Sequence, residues 1–133
     1  MEPQTNILLV EDDPFERGSI SLMLQYEGYD VTAVADGIFA LEQLETSKFD
    51  VIVSDLRMPR MTGVELTREI KARGLETEVI IMTAYSSQDY AMEAIEAGAY
   101  TLIEKNKDID AELKLLIKQA MEIRYSEALF AAN

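Results

Sequence analysis

Short apolar runs alternate with longer amphipathic segments along this chain. The runs end at polar or turn-forming residues, which is typical of buried strands, and the segments between them repeat apolar residues every three or four positions, as helices do. The pattern predicts five strands, at Ile7 to Val10, Tyr29 to Val34, Phe49 to Ser54, Val79 to Met82 and Thr101 to Ile103, each followed by a helix. Strands that alternate with helices favour a parallel sheet covered on both faces, with right-handed crossovers.

Capping residues mark where the predicted helices begin. Asp13 before Pro14, with Glu16 three residues after the Asp, predicts the start of the first helix. Thr62 and Glu65 form a capping-box pattern for the third helix. Helical spacing predicts inward-facing residues in each helix. These are Phe15, Ser19, Leu22 and Tyr26 in the first, Ala40, Leu41 and Leu44 in the second, Leu66 and Ile70 in the third, Ala91, Ala94 and Ile95 in the fourth, and Ile109, Leu113, Leu116, Ile117 and Ala120 in the fifth.

The last helix is expected to continue past Arg124. Leu115, Ile123 and Leu129 fall off its inward stripe, and two interpretations of them stay open. They form either a second apolar edge for a partner or scattered surface residues, which are normal on soluble proteins. The 133 residues predict one domain, with a core at about 5–124 and a helix extension or tail at 125–133.

Composition narrows the chemistry that is possible. The chain has no Cys and no His, which excludes disulfides, thiol catalysis and Cys-type zinc sites and removes the commonest general base. A net charge of −13 argues against direct nucleic-acid binding, because phosphate contacts need Lys and Arg, and it suits hard cations. There is no run of about eighteen apolar residues and no signal-peptide pattern, so a cytoplasmic protein without a membrane span is expected.

Polar residues of chemical interest follow the predicted strands. Glu11 and Asp12 follow the first strand, Asp55 the third, Thr83 the fourth and Lys105 the fifth. Because the carboxyl ends of parallel strands meet at one edge, where ligands bind, we expect these side chains to lie together. Three neighbouring carboxylates raise one another's pKa unless a cation joins them, which favours Mg²⁺. The Lys ammonium and the Thr hydroxyl complete a set that indicates phosphoryl transfer to Asp55.

These segments also resemble a known family. ILLVEDD, SDLRMPRMTG and IIMTAY, together with Lys105, resemble the receiver domain of two-component response regulators over about Ile7 to Ala120. The resemblance implies an α/β fold with a flavodoxin-like, doubly wound five-stranded parallel sheet in the order 2-1-3-4-5. The segments DLRMPRMTG and VEDDPFER are similar to the corresponding sequences in receivers of enhancer-binding transcription activators.

The resemblance also implies roles for individual residues. Asp55 would be the phosphorylated residue, Asp12 would bind Mg²⁺ directly and Glu11 would act through water. The backbone carbonyl of Arg57 would be a further metal ligand. Thr83 would bind the phosphoryl group after modification.

The remaining implications concern Lys105 and the partners. Lys105 would pair with the phosphoryl group, which a sensor histidine kinase or a phosphotransfer protein would supply. A homodimer through helix four, strand five and helix five is expected, whereas enzymatic turnover of a separate substrate, direct nucleic-acid contact and membrane contact are not.

Two positions depart from the pattern of the family. Leu102 stands where receivers usually carry Tyr or Phe, so switching through an aromatic ring is not expected, and Tyr100, on the same side of the strand, is too far away to replace it. Asn106 stands where receivers usually carry Pro after a cis bond. Since a cis bond before a non-proline residue costs about 2.5–4 kcal/mol, we expect Lys105–Asn106 to be trans.

Alternative interpretations have less support from the residues. Asp55 could merely cap the next helix, but Thr62 is the better cap for that helix. A phosphohydrolase with an Asp nucleophile needs a second acid two residues later, where Arg57 stands. A flavin or nucleotide binder needs a Gly- or Ser/Thr-rich phosphate loop after the first strand, and EDDPFE repels phosphate when no metal is bound. A pseudo-receiver that works without phosphorylation stays open because of Leu102 and Asn106.

Overall fold

Five strands and five helices alternate along the chain. The computed structural model describes residues 4–85 and 87–132. The strands are β1 (Asn6–Val10), β2 (Asp30–Val34), β3 (Val51–Asp55), β4 (Glu78–Thr83) and β5 (Thr101–Glu104). The helices are α1 (Pro14–Tyr26), α2 (Gly37–Thr46), α3 (Gly63–Ala72), α4 (Gln88–Ala97) and α5 (Ile109–Ala132). The strand and helix pattern predicted from the sequence is confirmed, with ends that differ by one or two residues.

All five strands are parallel and form one sheet in the order β2-β1-β3-β4-β5. This order confirms the predicted topology. β1 and β3 are neighbours, with Val10 paired to Ser54, and Asp55 is paired to Met82 of β4. The carboxyl ends of β1, β3, β4 and β5 therefore meet at one edge of the sheet, which is where ligands of such sheets bind.

Helices cover both faces of the sheet. On one face α2, α3 and α4 pack on alternate residues of the strands, and on the other α1 and α5 pack on the residues between them. The predicted inward faces of α2, α3 and α5 are confirmed, since their principal residues are buried. These are Ala40, Leu41, Leu66, Ile70, Leu113, Ile117 and Ala120.

The inward face of α1 differs from the prediction. The expected residues are exposed: Phe15 is 83% exposed, Leu22 68% and Tyr26 91%, and Ser19 is also on the surface. The residues that pack on the sheet are instead Ile20, Met23 and Leu24. The prediction was wrong because α1 carries two apolar stripes at helical spacing. Spacing alone does not decide which stripe faces the sheet.

The outer surfaces of α4 and α5 also carry apolar side chains. In α4, Ala94 is buried as predicted, but Ile95 is 53% exposed, so its predicted burial was wrong. The extension of α5 past Arg124 is confirmed. Leu115 is 57% exposed and Ile123 39%, and whether they meet a partner stays a prediction. In the described part of the chain, every helix is too short or too polar to span a membrane.

Candidate functional site

Three carboxylates meet where β1 and β3 end. Glu11, Asp12 and Asp55 each offer an oxygen, and these oxygens all lie within 4.8 Å of one another. Glu11 is fully buried, whereas the Asp55 side chain is 13% exposed and Asp12 is on the surface. Asp13, the next acid, does not belong to the cluster. It caps α1 as predicted, accepting a hydrogen bond from Phe15 N at 2.9 Å.

Backbone contacts hold the two acidic segments in place. The Glu11 N–H donates to the Val34 carbonyl at 3.1 Å, and the Arg17 guanidinium donates to the Glu11 carbonyl at 2.9 Å. Beyond β3, Gly63 passes so close that an added Cβ would lie 2.5 Å from the Asp55 carbonyl oxygen. A side chain at this position would displace the backbone of Asp55, which explains why the loop of the motif needs Gly here.

Lys105 brings a positive charge to the acids. Its Nζ lies 3.2 Å from Asp55 Oδ2, 3.3 Å from Glu11 Oε2 and 3.3 Å from Glu16 Oε2. Its backbone N–H donates to the Thr83 carbonyl at 2.7 Å, which fixes the end of β5 against that of β4. The described peptide bonds are all trans, and Lys105–Asn106 is among them, as predicted. The structure therefore brings the predicted Lys to the predicted acids.

Burial and neighbouring charges shift the pKa values of the acids and of Lys105. Burial raises the pKa of Glu11 from 4.5 to about 8, and the neighbouring Glu16 carboxyl group and the charge of Asp55 act in the same direction. Burial also raises the pKa of Asp55, although the charge of Lys105 opposes it. For Lys105 burial acts to lower the pKa, but the charges of Asp55 and Glu11 outweigh it and the pKa is raised. Ionising Glu11 and Asp55 side by side therefore costs free energy, and a bound cation would reduce that cost.

The Thr83 hydroxyl lies at the same edge but has other partners. Thr83 is the last residue of β4 and is almost completely buried. Its Oγ1 donates to the Tyr85 carbonyl at 3.1 Å and accepts from the Tyr85 N–H at 3.0 Å. The sequence placed this residue correctly at the edge, and the structure adds that the hydroxyl is engaged with the loop between β4 and α4.

Two side chains around the site, those of Arg57 and Glu16, make contacts that the sequence does not predict. Arg57 lies over the rings of Tyr85 and Tyr90, 5.2 and 5.7 Å from their centroids, and donates to the Tyr90 hydroxyl at 2.8 Å. Glu16, assigned from the sequence to the helix cap, instead contacts Lys105. Such contacts join residues that are distant along the chain, so no local sequence pattern predicts them.

A second ion pair anchors the loop after β3. Arg60 has a positive φ of 71° and donates two hydrogen bonds to Asp36 Oδ2, at 2.9 and 2.6 Å. Although burial acts to raise it, the pKa of Asp36 is lowered overall by the hydrogen bond from the Phe39 N–H and by Arg60. This pair ties the loop that follows Asp55 to the start of α2.

The acid cluster fits a hard divalent cation. Glu11 Oε1 is buried and has no hydrogen-bond partner among the described residues, so one carboxylate oxygen of the cluster is left to a further ligand. Oxygen ligands from one or two carboxylates, with water, are what Mg²⁺ takes in proteins. Three of the predicted ligands are therefore together. The fourth, the backbone carbonyl of Arg57, stays a prediction.

The order of the sheet and the acids and Lys at its carboxyl edge define the class of this protein as a receiver-type α/β domain. The chain belongs to the response regulator receiver domain family, whose model matches residues 7–118. It is thus a receiver domain of two-component response regulators, as the resemblance implied.

Individual proteins support the same assignment. The chain is 38% identical to the transcriptional regulatory protein ZraR of Klebsiella oxytoca over 126 residues, 94% of this chain. A crystal structure of FixJ-N superposes with a TM-score of 0.83 at 30% identity, covering 91% of this chain and 96% of that one. The beryllofluoride-activated NtrC4 receiver domain dimer gives a TM-score of 0.80 at 34% identity, with 88% and 96% covered.

The similarity to ZraR covers only part of that protein. The chain spans 28% of the length of ZraR, and 25% of that of the regulatory protein AtoC of Escherichia coli. The expected resemblance to receivers of transcription regulators is confirmed. The activities of the rest of these regulators do not transfer to this chain.

Proposed function

We propose that this receiver accepts a phosphoryl group on Asp55, in a reaction that needs Mg²⁺, and that the modification changes its interactions with partners. The observation that carries the proposal is the Asp55 carboxylate itself. It is partly open to solvent, has Lys105 at 3.2 Å and shares its edge of the sheet with Glu11 and Asp12. A nucleophile needs this access, and a transferred phosphoryl group needs positive charge beside it.

The residues of the chain have separate tasks in the transfer. An Asp55 oxygen attacks the phosphorus, the bond from phosphorus to the donor breaks, and its electron pair leaves with the donor. Lys105 stabilises the negative charge of the phosphoryl oxygens, and the Thr83 hydroxyl donates to one of them after it leaves Tyr85. Glu11, Asp12 and Asp55 would hold Mg²⁺, which, when bound, offsets the charge of both the acids and the phosphoryl group.

The donor in the cell is proposed to be a sensor histidine kinase or a phosphotransfer protein, in the cytoplasm. Exposed apolar side chains on α1 are available to such a partner. α1 begins next to the acid cluster, and Phe15, Leu22 and Tyr26 on its outer face are largely exposed. Surface aromatic and aliphatic groups of this kind are typical of protein contacts.

Turnover of a separate substrate is not part of the proposal. A phosphohydrolase would need an acid two residues after Asp55, and the side chain found there is Arg57, engaged with Tyr85 and Tyr90. The pseudo-receiver alternative predicts no uptake of phosphate at all. It is therefore separated from the proposal by the same experiment.

The test is uptake of a phosphoryl group from acetyl phosphate, followed by intact-mass measurement. Wild type should gain one phosphoryl group with Mg²⁺ and none in EDTA. Asp55→Asn should gain none, while Asp110→Asn, which removes an exposed acid of α5, should behave as wild type. Equal uptake by wild type and Asp55→Asn would refute the assignment, and no uptake by wild type would favour the pseudo-receiver.

A further inference from the structure

Glu16 occupies an unexpected place in the first turn of α1. Its position three residues after Asp13 is that of a capping-box acid, which would accept from the backbone N–H of the cap. Among the described helices, only α3 has that reciprocal pair. The Glu16 side chain instead reaches Lys105, with Oε2 at 3.3 Å from Nζ.

Lys105 is shared among three carboxylates in this state. An ammonium group has three N–H donors. Nζ donates hydrogen bonds to Glu11 Oε2 and Glu16 Oε2, both at 3.3 Å, and forms an ion pair with Asp55 Oδ2 at 3.2 Å. A phosphoryl group on Asp55 brings further anionic oxygens to this ammonium group, and they compete with Glu11 and Glu16 for its donors.

The three carboxylates that contact Lys105 have different roles. Asp55 is the proposed phosphoryl acceptor, and Glu11 is a buried member of the acid cluster. Glu16 is outside that cluster and is 42% exposed. Its contact with Lys105 is the one that can be given up without exposing a buried charge or removing a metal ligand.

We propose that Glu16 is a positioning residue that holds Lys105 in the unphosphorylated state and competes with the phosphoryl group for its ammonium. This inference rests on the proposed function, since it assumes that Asp55 accepts a phosphoryl group. Glu16 lowers the affinity of the site for the phosphoryl group in two ways. It occupies a donor of Lys105, and it adds a negative charge beside the incoming anion.

The same charge acts in the opposite direction on a cation. A carboxylate near Glu11 and Asp12 attracts Mg²⁺, so its removal weakens metal binding slightly or leaves it unchanged, while it strengthens binding of an anion. A residue that only supported the fold would move both affinities the same way. The pair of measurements therefore separates competition for Lys105 from general damage.

The experiment measures two affinities by titration: Mg²⁺ alone, and beryllofluoride at saturating Mg²⁺. Glu16→Gln keeps the size of the side chain and removes the charge. Glu16→Asp keeps the charge and shortens the reach to Lys105, and a carboxylate stays compatible with the helix start. Glu45→Gln, in the last turn of α2 at the opposite edge of the sheet, removes one charge away from the site.

We expect Glu16→Gln to bind beryllofluoride about two- to fivefold more tightly than wild type, as suits one partly exposed ion pair. Its affinity for Mg²⁺ should be unchanged or up to about twofold weaker. Glu16→Asp should also gain affinity for beryllofluoride, and Glu45→Gln should match wild type in both titrations.

Other outcomes overturn the inference. Beryllofluoride affinities equal to wild type in both Glu16 variants refute the competition, and a gain in Glu16→Gln alone refutes the direct contact. If wild type binds no beryllofluoride with Mg²⁺ present, the proposed function itself fails. Melting curves of the variants identify any that do not fold, in which case the other Glu16 variant decides.

Discussion

The hydroxyl of Thr83 is bound twice to the backbone of Tyr85, donating to its carbonyl at 3.1 Å and accepting from its N–H at 3.0 Å. The ring of the same Tyr lies under the guanidinium of Arg57. For Thr83 to donate to a phosphoryl group on Asp55, its single hydroxyl proton has to leave the Tyr85 carbonyl. We therefore predict that switching involves a rearrangement of the loop between β4 and α4.

Leu102 and Tyr100 lie on opposite faces of the sheet. Leu102 is partly buried on the face covered by α2, α3 and α4, whereas Tyr100 packs on the face covered by α1 and α5. The expectation that the two share a side was wrong because Tyr100 precedes β5 in a bend, where the alternation of a strand does not apply. The conclusion that Tyr100 does not replace an aromatic ring at Leu102 is unaffected.

The first prediction concerns Leu102→Tyr. Because Leu102 lies outside the acid cluster, Mg²⁺-dependent phosphorylation from acetyl phosphate should stay within about twofold of wild type. An aromatic ring that changes its burial with Thr83 should alter how strongly phosphorylation changes dimer or partner affinity. Phosphate uptake by intact mass and sedimentation with beryllofluoride measure the two effects, with Leu102→Ile as control. A large loss of uptake would show that Leu102 shapes the site itself.

The second prediction is that Mg²⁺ raises the melting temperature of the protein. A ligand that binds only the folded state stabilises it by about 2.7 kcal/mol at a hundred times its dissociation constant. Asp12→Ala removes an acid of the cluster and should abolish most of the shift. Asp13→Asn is the matched control, since Asn also caps a helix well and Asp13 lies outside the cluster. An unchanged Mg²⁺ shift in Asp12→Ala would place the metal elsewhere.

The third prediction concerns the dependence of stability on pH without metal. The pKa of Glu11 is about 8 in the folded state against an ordinary value of 4.5, so the folded state binds more protons between these values. This contribution is complete below about pH 4.5 and is lost as the pH rises through about 8.

In EDTA, the melting temperature should therefore fall between pH 5.5 and 8.5, by roughly 4 °C or more, which corresponds to about 1 kcal/mol. Glu11→Gln should flatten this dependence of the melting temperature on pH. Glu45→Gln should retain it, with only a small change due to net charge. The same slope in Glu11→Gln and wild type would contradict the assigned pKa.

The fourth prediction is that beryllofluoride with Mg²⁺ favours a dimer. β5 is an edge strand, with α4 on one face of the sheet and α5 on the other. Ile95 on α4 and Leu115 and Ile123 on α5 are exposed apolar residues in these elements. Leu115→Ser with Ile123→Ser should weaken the dimer in sedimentation velocity, and Leu22→Ser on α1 should not. A wild-type monomer in both states at high concentration would favour a receiver that diffuses alone.

Local patterns determined much of this protein. Continuous apolar runs located the strands, and the predicted caps Asp13 and Thr62 do cap α1 and α3. Residues that end parallel strands have to share an edge, so Glu11, Asp55 and Lys105 could be placed together before any distance was known. The segments on which the resemblance to the receiver family was based contain the same strand-end residues.

Tertiary packing decided which face of a helix is buried and which partners a side chain takes, because local patterns leave both ambiguous. α1 carries two stripes of equal spacing, and only its fit on the sheet selected Leu24 for burial over Leu22. Contacts across the fold also redirected Glu16 from a helix cap to Lys105, and Thr83 from the acids to Tyr85. Each outcome depends on which side chain of a distant element lies within hydrogen-bonding or packing distance, and the spacing of residues along one segment carries no information about that.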